Sequence, residues 1–285
     1  MINHLCVIGV GLIGGSLSLA LKKAGYVKQV TGLGRSIENL EKAKQLGVID
    51  NYETDYAKAV SHADMIFVAV PIGAMSEVFK KIEPHLNKHT IITDGGSAKH
   101  TIINSATDAL GLKVNQFIPG HPIAGTEKSG AEAAFDSLYE NRRVILTPLE
   151  NNTADDISKV SKMWSIAGAE VDEMGARHHD LVLAGTSHLP HVLAFALVDC
   201  LNNVDDVDEI FKYAAGGFRD FTRIASSDPV MWRDICVNNS EAILAMMQSY
   251  QNDLDVLKEA IHNSDSEELL KIFKNAKKAR DNFCM

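Results

Sequence analysis

Apolar positions in the first 170 residues gather into short unbroken runs: Leu5-Cys6-Val7-Ile8, Val30-Thr31-Gly32-Leu33, Met65-Ile66-Phe67-Val68-Ala69-Val70 and Thr90-Ile91-Ile92-Thr93. Runs of this length suit strands covered on both faces, and helix-length amphipathic stretches separate them. That succession predicts parallel strands joined by crossover helices, a doubly wound sheet. Residues 116–118 and 144–147 are predicted to extend it, and 169–171 to add an edge strand.

Beyond Gly175 the strand pattern stops. Residues 230–261 carry Met231, Ile235, Ile243, Met247, Leu254 and Leu257 at near-helical spacing, with Asp228 as N-cap and Pro229 in the first turn. Ser264-Asp265-Ser266-Glu267 reads as a capping box that opens a further helix through Leu269, Ile272, Phe273 and Ala276. The chain is therefore read as α/β: an N-terminal Rossmann-type doubly wound sheet over residues 1–172, followed by an all-α domain over 173–285. Two long helices with wide apolar faces and few partners of their own predict packing against a second copy, a homodimer; a compact monomeric bundle is the alternative.

Composition narrows the function classes. At 285 residues and 46% hydrophobic content the chain can bury a sizeable core. Its net charge of -9 leaves no broad positive surface for nucleic acid or anionic lipid. Cys6, Cys200, Cys236 and Cys284 lie far apart without CxxC spacing, so neither a disulfide framework nor a zinc knuckle is suggested, and a reducing cytoplasm fits. The uncharged run 5–21 has no basic segment before it and contains Gly9, Gly11, Gly14 and Gly15, so it reads as strand, turn and helix rather than a leader or membrane anchor.

Gly9-Val10-Gly11-Leu12-Ile13-Gly14 follows the first strand directly. In this setting the first glycine permits a tight turn, the second lets backbone approach a pyrophosphate, and the third allows close helix–strand packing. Leu12 and Ile13 within the loop, and Val70-Pro71 beyond a later strand, are expected to line the dinucleotide. At the end of the second strand, where a carboxylate would bind the ribose 2′-hydroxyl, stand Gly34, Arg35 and Ser36. Arginine and hydroxyl without a repelling carboxylate favour NADP, while a merely solvated Arg35 would leave NAD usable.

Three segments after the apolar runs carry candidate chemistry: Asp94-Gly95-Gly96-Ser97-Ala98-Lys99, Gly120-His121-Pro122-Ile123-Ala124-Gly125-Thr126-Glu127, and Ser187-His188-Leu189-Pro190-His191. With Gly216-Gly217-Phe218-Arg219-Asp220-Phe221-Thr222-Arg223 and Asp228-Pro229-Val230-Met231-Trp232, they closely resemble the prephenate/arogenate dehydrogenase family over nearly the whole chain. The resemblance implies oxidative decarboxylation of prephenate with reduction of NAD(P) in tyrosine biosynthesis, or the arogenate or dual-specificity variant. It implies that His121 hydrogen-bonds the ring C4 hydroxyl, that Ser97 helps orient it, and that Arg223 binds a substrate carboxylate. It further implies that Thr126, Glu127, His191, Gly217 and Trp232 shape the pocket.

The residue types agree with that chemistry. Histidine suits acceptance of a hydroxyl proton near neutral pH, and Arg219 and Arg223, at i, i+4, can present planar donors to a dianion. Each residue also has an ordinary use: Ser97 as the N-cap of the next helix, Arg219 and Arg223 as surface ion pairs, Trp232 as a core or interface anchor, Glu127 as a loop carboxylate. His178, His179, His188 and His191 lack a metal-binding pattern, and no metal is expected. Two other classes compete: a 3-hydroxy-acid or sugar-acid dehydrogenase, which would centre on a lysine in the helical domain, and a cofactor-sensing protein that keeps the fold without the chemistry.

Overall fold

The computed structural model describes residues 1–126, 128–205 and 207–283, leaving aside the side chains of Val207 and Asp208. Its strands are β1 (Ile2–Ile8), β2 (Val27–Leu33), β3 (Asn51–Glu53), β4 (Met65–Val68), β5 (Ile91–Asp94), β6 (Phe117–Ile118), β7 (Gly120–Pro122), β8 (Arg143–Leu146) and β9 (Glu170–Glu173). Helices α1 (Leu12–Lys23), α2 (Ile37–Gln45), α3 (Tyr56–Val60), α4 (Ile72–Ile82), α5 (Lys99–Leu110) and α6 (Ala154–Ile166) alternate with them. From residue 176 onward the described chain is helical: α7 (Ala176–Leu183), α8 (Leu189–Asn202), α9 (Val207–Lys212), α10 (Gly216–Thr222), α11 (Pro229–Asn238), α12 (Ser240–His262) and α13 (Ser266–Phe283).

Strands β1 to β6 form one parallel sheet in the order β3-β2-β1-β4-β5-β6, the doubly wound arrangement expected from the runs of apolar residues. Successive side chains on a strand point to opposite faces, so Leu5, Val7 and Phe67 enter one buried cluster while Cys6, Ile8, Ile66 and Val68 enter another. Burial of each such side chain contributes roughly 1.5–3 kcal/mol, and covering both faces explains why the strands read as continuous apolar runs. Edge strand β3 is short and partly exposed, and its sequence carries no such run.

Residues 144–147 do not extend this sheet as expected. Val144, Ile145 and Leu146 lie in β8, the middle of a separate three-stranded sheet, antiparallel to β7 and parallel to β9, and Thr147 follows it. The reason is the turn at Pro119: after β6 the chain leaves the parallel sheet and His121 pairs with Ile145 instead. A three-residue strand with proline at its end lacks the apolar run that marked the others.

The stretch 230–261 is likewise two helices, not one. Asn239 separates α11 from α12 with φ -120° and ψ 32°, and its side-chain amide donates to the Asp180 carbonyl at 2.9 Å. Asp228 caps α11 as expected, accepting from the Met231 N–H at 2.8 Å. At the start of α13 the cap is Asp265, which accepts from the Glu268 N–H at 3.0 Å, while Ser264 sits at φ 52° instead of capping.

Helices α7 and α8 run together through a π-helical turn at residues 184–188. The run Ala176–Asn202 has a mean hydropathy of 1.7 and is long and apolar enough to cross a bilayer by length and composition. Its polar residues His179, Asp180 and His188 are nevertheless buried: Asp180 bonds the start of α5, His188 bonds Asn239 at the end of α11, and His179 bonds His121 and Asp180. Contacts divide the chain into Met1–Ser240 and Glu241–Met285, the first taking in α7 to α11 along with the sheets. Within the second unit, Leu244, Leu254, Ile261, Leu270 and Phe273 are exposed.

Candidate active site

The glycine loop forms as its spacing implies. Gly9 has φ +95°, and a Cβ there would lie 2.4 Å from the Ala69 carbonyl oxygen, so only glycine fits. At Gly14 a Cβ would meet the Gly9 carbonyl at 2.4 Å and Val7 at 2.7 Å, the signature of a helix pressed onto its strand. By contrast, nothing lies within 4 Å of a Cβ at Gly11, which is the N-cap of α1 and offers no side-chain hydrogen bond to the helix. An open cradle in front of an uncapped helix N-terminus fits a pyrophosphate. Tyr139 anchors the loop by donating to the Ile13 carbonyl at 2.6 Å.

At the end of β2, Arg35 and Ser36 are exposed. The Ser36 hydroxyl accepts from the Asn39 N–H at 3.2 Å and so caps α2, a use not anticipated for it. Arg35 is close enough to Glu77 to help hold that carboxyl below its usual range, behind the larger effect of Lys81.

The second region begins at Asp94, the fully buried last residue of β5. Its Oδ2 takes the Lys99 ammonium at 2.6 Å and the Gly96 N–H at 2.8 Å, while Oδ1 takes the Gly120 N–H at 3.0 Å. Lys99, equally buried, also donates to the Gly120 carbonyl at 2.6 Å. This clamp joins the segment containing Ser97 to the segment containing His121. Burial pulls the Lys99 ammonium below its ordinary range, with Asp94 pulling the other way. Gly95 packs against the glycine loop, since a Cβ on it would meet Ile13 at 3.2 Å.

Ser97 does not cap α5. The N-cap is Ala98, without a side-chain bond, and the carboxylate of Asp180 takes over from 81 residues away. Oδ1 of Asp180 accepts the Lys99 N–H at 2.8 Å and Oδ2 the His100 N–H at 2.9 Å. Burial would raise the Asp180 pKa, but His179 and these two backbone donors outweigh it and the carboxyl is held low.

Around Asp180 gather the histidines. Nδ1 of His179 lies 2.8 Å from Asp180 Oδ1, and Nε2 of His179 lies 2.8 Å from Nδ1 of His121. Burial, then His179, Lys99 and His188, push the His121 pKa well below its ordinary value, so the ring is neutral at pH 7. Asn239 links Asp180 to Nδ1 of His188 at 3.0 Å, and the His188 pKa is pushed down to about 4, chiefly by burial. The Nε2 of His188 and the Nε1 of Trp232 are buried without a hydrogen-bond partner. Trp232 stacks on His191 at 3.7 Å between centroids, and the Arg223 charge helps lower the His191 pKa behind the larger effect of burial.

Thus the described residues bring His121, His191, Trp232 and Arg223 into one connected region, and Ser97 lies two residues before Lys99 of the clamp. Arg223 begins a 3-10 turn directly after α10, while Arg219 and Gly217 sit exposed on α10. Thr126 is exposed, and Glu127 and Cys284 lie outside the described residues. Sequence reasoning gave no catalytic or binding role to Asp94, Lys99, His179, Asp180, His188 or Asn239. Asp94 and Lys99 flank Ser97 in one of the candidate segments, and His179 and His188 are considered there only as metal ligands. Among the described residues, no group of three or more His, Cys, Asp or Glu is arranged to hold a metal ion.

Family models extend across both halves of the chain: "Prephenate dehydrogenase, nucleotide-binding domain" matches residues 17–173 and "Prephenate dehydrogenase, dimerization domain" matches 175–275. The chain belongs to the prephenate dehydrogenase family. It is 38% identical to a cyclohexadienyl dehydrogenase of Zymomonas mobilis over 98% of this chain and 95% of that one. It is 35% identical to the prephenate dehydrogenase of Bacillus subtilis, covering 99% of this chain and 76% of that one. The solved prephenate dehydrogenase of Aquifex aeolicus, in complex with hydroxyphenyl propionate and NAD+, superposes with a TM-score of 0.93 at 37% identity over 99% of each chain. As a prephenate dehydrogenase, the chain is a nicotinamide-dependent oxidoreductase that acts on a small molecule, with a Rossmann-type nucleotide-binding domain.

Proposed function

We propose that this prephenate dehydrogenase oxidises and decarboxylates prephenate to 4-hydroxyphenylpyruvate, with His121 as the group that receives the C4 hydroxyl proton. The observation that carries the reading is a neutral, buried His121, hydrogen-bonded through Nδ1, on a strand clamped beside the glycine loop. Ser97, in the segment that the same clamp holds, orients the hydroxyl. Arg223, backed by Arg219, binds the substrate carboxylate as a planar donor, and Thr126, Glu127, His191, Gly217 and Trp232 bound the pocket. When bound, the oxidised nicotinamide supplies the acceptor for the C4 hydrogen with its electron pair.

The cofactor is held by the backbone of Gly9, Gly11, Leu12, Ile13 and Gly14, with Val70 and Pro71 along the ring. Arg35 and Ser36 favour NADP, because no carboxylate stands at Gly34 to repel a 2′-phosphate; the Ser36 cap leaves its hydroxyl proton available to donate. The enzyme works as a homodimer in the cytoplasm, a reading supported by the exposed apolar residues of α12 and α13 and by the free cysteines Cys6, Cys200 and Cys236. The functional division falls between residues 172 and 173, one residue before the end of the last strand.

The test is a steady-state assay that crosses prephenate and arogenate with NAD and NADP. Turnover of prephenate with the higher kcat/KM for NADP is expected. Preference for arogenate would move the assignment to the amino-substituted substrate, and turnover of neither would remove it.

A further inference from the structure

We infer that Asp180 and His179 hold His121 in its Nδ1–H tautomer, leaving the Nε2 lone pair free for the substrate hydroxyl. Both are positioning residues, and the inference rests on the reading of His121 as the proton acceptor.

The tautomer follows from donor and acceptor accounting. Asp180 accepts the Lys99 and His100 N–H groups at the N-terminus of α5, an environment that keeps its carboxylate ionised. An ionised carboxylate has no proton to give, so Nδ1 of His179, 2.8 Å away, must carry one. A second proton on His179 would place a cation beside the buried Lys99 ammonium, and burial together with that charge opposes it. Neutral His179 therefore presents a bare Nε2. Nδ1 of His121 lies 2.8 Å from that atom, so it must donate, and the neutral His121 ring then has its lone pair on Nε2.

The relay is almost wholly shielded from solvent, and the reaction needs no outlet. His179 is fully buried and Asp180 is 5% exposed. When C4 loses its hydrogen with the bonding electron pair, the hydroxyl O–H bond breaks and its proton passes to His121 Nε2. The C1–carboxylate bond then breaks, carbon dioxide leaves, and the electron pair it leaves behind completes the aromatic ring. The C4 oxygen becomes phenolic and takes the proton back. The proton is borrowed and returned, and in between the positive charge on His121 is shared through His179 with the Asp180 carboxylate.

The decisive measurement is 15N NMR of the histidine rings in the whole protein without substrate or cofactor, with His121 assigned through His121→Asn. A protonated Nδ1 and an unprotonated Nε2 are expected on His121. In His179→Asn, which keeps the reach to Asp180 but not to His121, the His121 ring should shift toward the Nε2–H form, with kcat lower on the order of a hundredfold and substrate KM within about twofold. His179→Gln can place an amide oxygen where Nε2 stood, and should restore both the tautomer and most of the rate. A wild-type His121 protonated on Nε2, or a His179→Asn enzyme with unchanged tautomer and kcat, overturns the inference. An Nδ1–H ring in a protein that turns over no cyclohexadienyl substrate would instead overturn the functional reading and leave the tautomer assignment standing.

Discussion

The dinucleotide loop and the histidine cluster lie side by side and are built in opposite ways. The loop is made by six consecutive residues whose backbone does the work: a left-handed turn at Gly9, open space at Gly11 and a close approach at Gly14. The cluster draws on residues 94–99, 120–121, 179–191 and 232–239, and its work is done by side chains buried in hydrogen bonds. A site made of backbone shape is written in local spacing, whereas a site made of tuned side chains depends on what the fold carries to them.

The sharpest way to break this contrast is a pair of loop variants. Gly9→Ala combines an unfavourable φ with a 2.4 Å clash against the Ala69 carbonyl; it should destabilise the fold by about 3 kcal/mol or more and abolish dinucleotide binding, read by thermal melting and fluorescence titration. Gly11→Ala should leave melting within about 1 kcal/mol of wild type, because nothing lies near its Cβ, yet weaken dinucleotide binding at least tenfold. Equal losses of stability in the two would refute the division of roles.

In the cluster, His121→Asn should lower kcat by a factor on the order of a hundred with melting nearly unchanged. Near-normal turnover would return His121 to a structural part. Acid should also reveal the cluster. His188 titrates near 4 in the folded chain against 6.5 as an ordinary histidine, so between those values the unfolded chain binds the extra proton. Stability is then complete above about pH 6.5 and falls as pH drops toward 4, by about 3 kcal/mol from this residue. His121, His179 and His191, also depressed, act in the same direction, and so does Asp180, whose lowered pKa loses its stabilisation only as it protonates at still lower pH. Melting curves from pH 7 to 4 check the slope, and His188→Gln should flatten it.

The smallest effect concerns cofactor choice at the edge of the loop. Arg35→Ala should reduce kcat/KM for NADP by roughly tenfold and leave that for NAD within twofold. Equal effects on both would make Arg35 a solvated charge that also eases Glu77.

Much of this molecule is legible in its amino-acid pattern. The parallel sheet follows from apolar runs, the cofactor loop from glycine spacing, and the candidacy of His121, Ser97 and Arg223 from the motifs that contain them. The misreadings share a physical cause. Residues 144–147 look like any buried strand, and only the turn at Pro119 and the pairing of Ile145 with His121 decide which sheet they join. Ser97 has the residue type of an N-cap, yet Asp180 reaches the same N–H groups from another helix. Asn239 interrupts an apolar helical pattern because its amide bonds the Asp180 carbonyl.

The sequence alone determined the order of elements and the dinucleotide loop, since hydrophobic period and glycine stereochemistry act within a few residues of the chain. Only tertiary structure decided the electrostatic state of His121. Its desolvation, the Lys99 charge behind it and the His179–Asp180 contact arise from groups up to 81 residues apart along the chain, and no local pattern records which buried groups will meet.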